Sequence, residues 1–380
     1  MDTRFEVIVV GLGAMGSAAT YHLASRGTRV LGIDMFQPGH DRGSSHGEHR
    51  MIRNSSFQAD GYVPLADRAF ALWRELEAEA NQRLLQTTGE IWLVQAEGSP
   101  GYRAGIEDSL ARGFRVVLGE DDLAERFPGV RLGDGMIALY EANAGFLRCE
   151  AGIVSHVEQA RQRGATIHLD EEVTHWSTDG AGVRVETRHG VYAADHLVLT
   201  AGPWSEEHVR GLRLPMQVER RVNGFFRPTR PEIWSLERGA PDFLLDVPEG
   251  SFYGMPAVGD IGVKIGLSAG EATTARTIRR SIDDAEIELL RDVLDKYLPG
   301  ASGAELRRMT CMCTYTVDGD FIIDRHPAHD QVSIACGFSG RGYKFAPVVG
   351  EILADLALEG ATAHDIGFLS ARRFAESAVA

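Results

Sequence analysis

The chain opens with apolar positions that do not alternate. Val7-Ile8-Val9-Val10 is a run of β-branched residues, the pattern of a strand buried on both faces, and it breaks at Gly11. A helical stretch follows from about Met15 to Arg26 and stops at Gly27. A second strand, Arg29 to Ile33, ends in Asp34. Strand, glycine-rich turn and helix recur at the far end, as Val332–Ala335, Gly337-Phe338-Ser339-Gly340-Arg341-Gly342 and Tyr343–Leu358. Between them the spacing predicts helices over 62–80, 150–163 and 283–297. Val183–Glu186 and Val191–Ala194 form a hairpin about Arg188-His189-Gly190, and His196–Thr200 is a buried strand. The tract 217–266 is rich in strands, and further strands are predicted at 309–315 and 321–323. This is an α/β pattern in which one domain is drawn from both ends of the chain and a strand-rich domain is inserted.

Gly11-Leu12-Gly13-Ala14-Met15-Gly16 is a GxGxxG in the right setting. Gly11 allows the tight turn, Gly13 lets a pyrophosphate approach the backbone, and Gly16 lets helix and strand pack closely. The helix N-terminus faces the phosphates. Asp34 can accept a hydrogen bond from a ribose 2′-OH, which favours NAD or FAD over NADP. The 380 residues suit two or three domains. With 44% apolar and 24% charged residues, disordered, collagen-like and disulfide-scaffold classes are excluded. A net charge of −15 argues against nonspecific binding to nucleic acid or anionic membranes. The four cysteines, Cys149, Cys311, Cys313 and Cys336, fit a reducing compartment. No run of 18 apolar residues occurs, and Phe5–Val10 is too short for a signal sequence. A cytoplasmic protein that binds neither membrane nor nucleic acid is expected.

Several motifs then share an order with a known family: GLGAMG, SSHGEHRMIR, LTAGPW, CMCTYTVDGDFIID and GFSGRGYKFAPVVGE. Over nearly its whole length the chain resembles the monomeric sarcosine oxidase and N-methyltryptophan oxidase family, amine-oxidising relatives of the D-amino-acid oxidases. The resemblance implies FAD rather than NAD. It implies a Rossmann-type FAD-binding domain over residues 1–80, 145–210 and 310–380. The inserted sheet-rich substrate domain, of α+β type, would span 81–144 and 211–309, and a monomer is expected.

The resemblance also assigns roles. Cys311, thirteen residues before Asp324, matches the cysteine that carries a thioether to the flavin. Taken alone, Cys311 and Cys313 share one face of a strand and read equally as two core thiols; without a second CxxC or a His cluster a metal site is disfavoured. Cys149 and Cys336 read as packing residues. Arg53 and Lys344 match two cations that hold a substrate carboxylate, chemistry suited to a planar guanidinium and a point charge. Lys264, between Gly262 and Gly266, reads by pattern as an outward-facing strand lysine; by resemblance it lies near the reactive flavin ring, where a cation assists oxygen reduction. Arg50 matches a second cation near the ring, and Tyr253 reads as a pocket tyrosine or a core aromatic. Cofactor contacts are expected from Gly11, Gly13, Ala14, Met15, Gly16, Asp34, Ser44, His46, Arg50, Val173, Ala201, Gly202, Trp204, Cys311, Met312, Gly340, Gly342 and Lys344. Three positions depart from the family: Arg341 replaces the histidine of GFSGHG, Ser268 replaces a histidine, and Cys313 replaces an aromatic residue. All three would line the substrate pocket by analogy.

The expectation is an FAD-dependent oxidase of secondary amino acids that uses dioxygen and releases hydrogen peroxide, an imine being hydrolysed to aldehyde or oxo acid plus amine. The alternatives are a fructosyl amino acid oxidase, a flavin dehydrogenase with another electron acceptor, and a non-catalytic flavin-binding or NAD-dependent protein.

Overall fold

The computed structural model describes residues 3–55, 60–97, 100–180 and 182–374. The strand Arg4–Val10 lies inside a sheet, parallel to Val30–Ile33 on one side and Val191–Leu199 on the other. His329–Cys336, from the far end of the chain, joins parallel to Val191–Leu199. Both ends therefore build one sheet. Val7 and Val9 face one buried cluster, while Ile8 and Val10 face another. Two covered faces explain the run without alternation. The helices Ala14–Ser25 and Ala346–Leu358 pack together on the first face.

The second large sheet has the order 271–273, 216–226, 263–267, 250–255, 242–247, 90–95, 136–141 and 116–118, with Glu305–Thr316 pairing along Met216–Phe226. One face is closed by the helix Asp284–Tyr297, which begins with a capping box between Asp283 and Glu286. Ile287, Leu290 and Leu294 of that helix pack on Val222, Phe226, Val263, Ile265, Ile91, Phe243 and Ala138. Because a strand alternates its side chains, the intervening positions must point the other way. Those positions are Arg221, Asn223, Lys264, Glu90, Asp242 and Glu141, six polar residues on one buried face. A small three-stranded sheet of His49–Ile52, Leu85–Thr87 and Gly145–Arg148 carries His49 and Arg50.

The elements depart from expectation in a few places. The strand expected over 309–315 is Glu305–Thr316, so a boundary at 310 falls inside a strand of the second sheet. Cooperative pairing with the eleven-residue Met216–Phe226 extends it. The closing helix begins at Ala346, after a 3₁₀ turn at Tyr343–Phe345, with Pro347 in its first turn, where the missing N–H costs nothing. Among the described residues, no helix is long and apolar enough to cross a membrane.

Candidate active site

A cleft partly open to solvent runs from the first glycine-rich turn to the strand bearing Cys313. Its near end is shaped by glycines. Gly11 has φ 88° and a Cβ there would lie 2.6 Å from the Thr200 carbonyl oxygen; one on Gly16 would lie 1.8 Å from that of Gly11. Gly13 has nothing within 4 Å of its absent Cβ, leaving open space above a helix N-terminus. Asp34 accepts the Leu12 N–H at 2.6 Å and the Phe36 N–H at 2.8 Å. Burial pushes its carboxyl up to about 6 against those two bonds. It braces the turn and still lines the cleft.

At the far end, Arg50 donates to the carbonyls of His49 (2.9 Å) and Ser44 (2.8 Å). Lys264 is buried and donates to the carbonyls of Gly47 (2.8 Å) and His49 (3.0 Å). It is no outward-facing lysine: its strand lies within a sheet covered on both faces. Burial, then the repulsion of Arg50, brings its ammonium down to about 7. Cys311 is hydrogen-bonded to Cys313, and that contact, with Arg50, Lys264 and the Asn223 amide at 3.8 Å, brings its thiol down to about 6 although burial opposes it. Cys313 is held well above the ordinary thiol value by the same contact. The contact draws Cys311 toward the thiolate form and Cys313 away from it, and Cys313 contributes to the cleft wall. Tyr253 donates to Asn223 Oδ1 at 2.9 Å.

A second cluster adjoins the first. Lys344 is buried, reaches the Arg53 carbonyl at 3.4 Å, and is brought down to about 7 by burial and by Arg53. The Arg53 guanidinium, expected to hold a substrate carboxylate, holds the protein's own Glu90 at 2.9 Å. Arg115 binds Glu90 from the other side at 2.5 Å and lies 3.5 Å from Glu141. Glu141 accepts from the backbone of Asn54 at 2.8 Å and from the Ser55 hydroxyl. Asp242 is fully buried, accepts from the Thr88 hydroxyl at 3.1 Å, and is held well above the usual carboxylate range by burial and by Glu90.

Of the expected cofactor residues, all line the cleft except Gly16, His46, Cys311, Met312 and Lys344. Gly16 acts through packing. Met312 is turned by strand alternation to the face opposite Cys311 and Cys313, where it packs on Trp204 and Val218 beside the cleft. Arg341 donates to the Gly319 carbonyl at 2.8 Å. Ser268 follows the Val263–Leu267 strand, half-buried, its N–H given to Ser251. Unforeseen were Asn223, Arg221, His49 and the Glu90–Arg115–Glu141–Asp242 group; the one signal was a carboxylate at the edge of an apolar run, as in EIWLVQ and DFLLDV.

The cleft has the chemistry of a flavin dinucleotide site. On the cleft wall the Thr314 hydroxyl, and just behind the lining both ring nitrogens of His46, are buried without a hydrogen-bond partner among the described residues. Burial, Arg50 and Lys264 hold His46 down to about 3, so it is neutral and offers one donor and one acceptor. The open Gly13 backbone suits a pyrophosphate. Fold and cleft thus define a dinucleotide-dependent redox protein. The FAD dependent oxidoreductase family profile matches residues 6–356, and the chain belongs to that family. It is 38% identical to the monomeric sarcosine oxidase of Streptomyces avermitilis, over 99% of both chains. It is 34% identical to the N-methyl-L-tryptophan oxidase of Salmonella newport, over 98% of this chain and 100% of that one. The solved structure of NikD, described as an unusual amino acid oxidase essential for nikkomycin biosynthesis, shares the fold with a TM-score of 0.85 at 24% identity, covering 97% of this chain and 98% of that one.

Gly16→Val places side-chain carbon where the Gly11 carbonyl stands. Purified protein should keep its fold by circular dichroism but lose most of its flavin absorbance. Full flavin loading would contradict this account of the turn.

Proposed function

We propose that the protein oxidises secondary amino acids, N-methyl or otherwise N-substituted, with dioxygen as electron acceptor. The observation that carries this reading is the row of buried cations on the cleft side of the second sheet and beside it, ending in Lys344. When bound, FAD supplies a two-electron acceptor for the substrate's C–N unit and a donor to dioxygen, so that the products are an imine, hydrolysed to aldehyde or oxo acid plus amine, and hydrogen peroxide. Lys344 precedes the Ala346–Leu358 helix by two residues, where the positive end of the helix dipole disfavours a cation. An anion bound there relieves the repulsion among Lys344, Arg53 and the helix. The substrate carboxylate is that anion, with Arg53 shared between it and Glu90. Holding the carboxylate fixes the rest of a small substrate and replaces a bimolecular encounter. The surrounding positive charge also favours the amine's neutral form, the form with a lone pair to give. Lys264, tied to two carbonyls, is placed so that its charged form opposes the negative charge that develops on oxygen. The low thiol value of Cys311 suits it to carry the flavin covalently. Acidity and cysteine usage support a cytoplasmic protein, acting as a monomer on a small amino acid.

Stopped-flow absorbance tests the reaction and Lys264 together. N-methyl amino acids should bleach the flavin without air, and air should restore it with release of peroxide. Lys264→Met should bleach at a rate within about tenfold of wild type, yet reoxidise roughly 10²–10³-fold more slowly. Bleaching without peroxide would replace the oxidase by a dehydrogenase, and a loss of bleaching alone in the variant would move Lys264 to substrate binding.

Acid denaturation tests the covalent link. Yellow colour should stay with the wild-type polypeptide and leave it in Cys311→Ser. Loss of the link in Cys313→Ser but not in Cys311→Ser would assign it to the other thiol.

A further inference from the structure

Two arginines beside the cleft are not used by the reaction described above. Arg221 lies on the cleft side of the second sheet, cross-strand from Cys311, and is 3% exposed. Its guanidinium stacks on Tyr315 at 4.9 Å, and its charged and polar neighbours are Tyr315, Cys313, Glu219 and Tyr253. Nη2 pairs with Glu219 at 2.8 Å, but Glu219 keeps 26% of its side chain in solvent. Nη1 is buried with no hydrogen-bond partner among the described residues. A buried arginine nitrogen without an acceptor carries a substantial desolvation cost, which an incoming acceptor such as water or an anion removes.

Arg341 belongs to a turn that reaches the same tyrosine. The turn that carries it passes so close to Tyr315 that a Cβ on Gly340 would lie 2.6 Å from the Tyr315 hydroxyl and 3.9 Å from Cys313 Sγ. Tyr315 thus neighbours both arginines, stacked on Arg221 and within electrostatic reach of Arg341. Arg341 also feels the charges of Arg53 and Lys344. Nearby acids answer this charge only in part. Glu90 and Glu141 are committed to Arg53 and Arg115, and burial pushes the carboxyl of Asp242 well up, toward its neutral form. Asp320 is the acid nearest Arg341 in influence, and it accepts the Tyr62 hydroxyl at 3.1 Å. One substrate carboxylate at Lys344 leaves an excess of positive charge around Tyr315.

We propose that this excess recognises a second carboxylate, so that the preferred substrate is an N-substituted dicarboxylic amino acid whose side-chain carboxylate meets Arg341 and Arg221. The proposal rests on the amine-oxidase reading for the first carboxylate. Cys313 and Tyr315 form the half-buried wall through which the side chain passes, and the small thiol leaves room for it.

The test uses the flavin-loaded enzyme in two ways. Glutarate and valerate, which cannot be oxidised, differ by the second charge, and their binding is read from the change in the flavin spectrum. Glutarate should bind at least about tenfold more tightly than valerate. The kcat/KM for N-methyl-L-glutamate should exceed that for N-methyl-L-glutamine by a similar factor. Both ratios should collapse toward one in Arg341→Gln and shrink in Arg221→Lys. A ratio compares two ligands in the same protein, so partial misfolding cancels. Equal affinity for glutarate and valerate in wild type overturns the proposal, as do ratios that survive both substitutions. If the neutral N-methyl amino acids bleach the flavin while the dicarboxylate is not preferred, the oxidase stands and only the second site falls. If no amino acid bleaches it, the oxidase reading fails, and the glutarate ratio still decides the anion site.

Discussion

Positive charge held out of water on one face of a sheet is the constraint on which this structure turns. Packing the Asp284–Tyr297 helix on the second sheet fixes the parity of every strand beneath it. Apolar positions go to the helix, and the alternate positions, Arg221, Asn223, Lys264 and their neighbours, go to the cleft. A one-residue slip in any strand would exchange the two sets. The site's chemistry is thus specified by the same register that builds the core.

Buried charge is expensive unless it is paired and hydrogen-bonded, and each cation here meets that cost differently. Arg53 and Arg115 share Glu90, with Glu141 close by. Lys264 uses two backbone carbonyls. At Asp242 burial and Glu90 favour the protonated form, which lowers that cost. Lys344 has weaker support among the described residues, a long contact to a carbonyl and the ring of Phe345, with Arg53 and a helix N-terminus alongside. That imbalance makes it the point where an incoming anion gains most. Cys311 shows the same effect from the other sign: the Cys313 contact, then Arg50 and Lys264, favour its charged form.

The first glycine-rich turn was legible because its chemistry is local: Gly11, Gly16 and Asp34 meet within one βαβ unit. Cys311 and Cys313 were placed on a common face by the two-residue period alone. Lys264 was misread by pattern, since a lysine inside a strand looks solvent-facing until the cover on both faces is known. The group around Glu90 was invisible because its members come from separate strands and a loop, at positions 90, 115, 141 and 242, and meet only in the folded sheet. Arg221 gave no signal, sitting beside Arg220 in VERRV, where one arginine faces the helix and pairs with Glu286 and the other faces the cleft. The domain boundary expected at 310 cut through a strand because pairing across a sheet is not written in either strand by itself.

The central claim is that the substrate carboxylate charges Lys344, and proton uptake on binding measures it most directly. In the free protein Lys344 is brought down to about 7, and a bound carboxylate must raise it. Calorimetry with valerate in buffers of different ionisation enthalpy reads the protons exchanged. At about pH 8.5 binding should take up close to one proton, at about pH 5.5 almost none, and affinity should fall as pH rises through about 7. Lys344→Met should abolish the uptake. Binding that takes up no proton at the higher pH, with affinity flat across the range, would contradict the account.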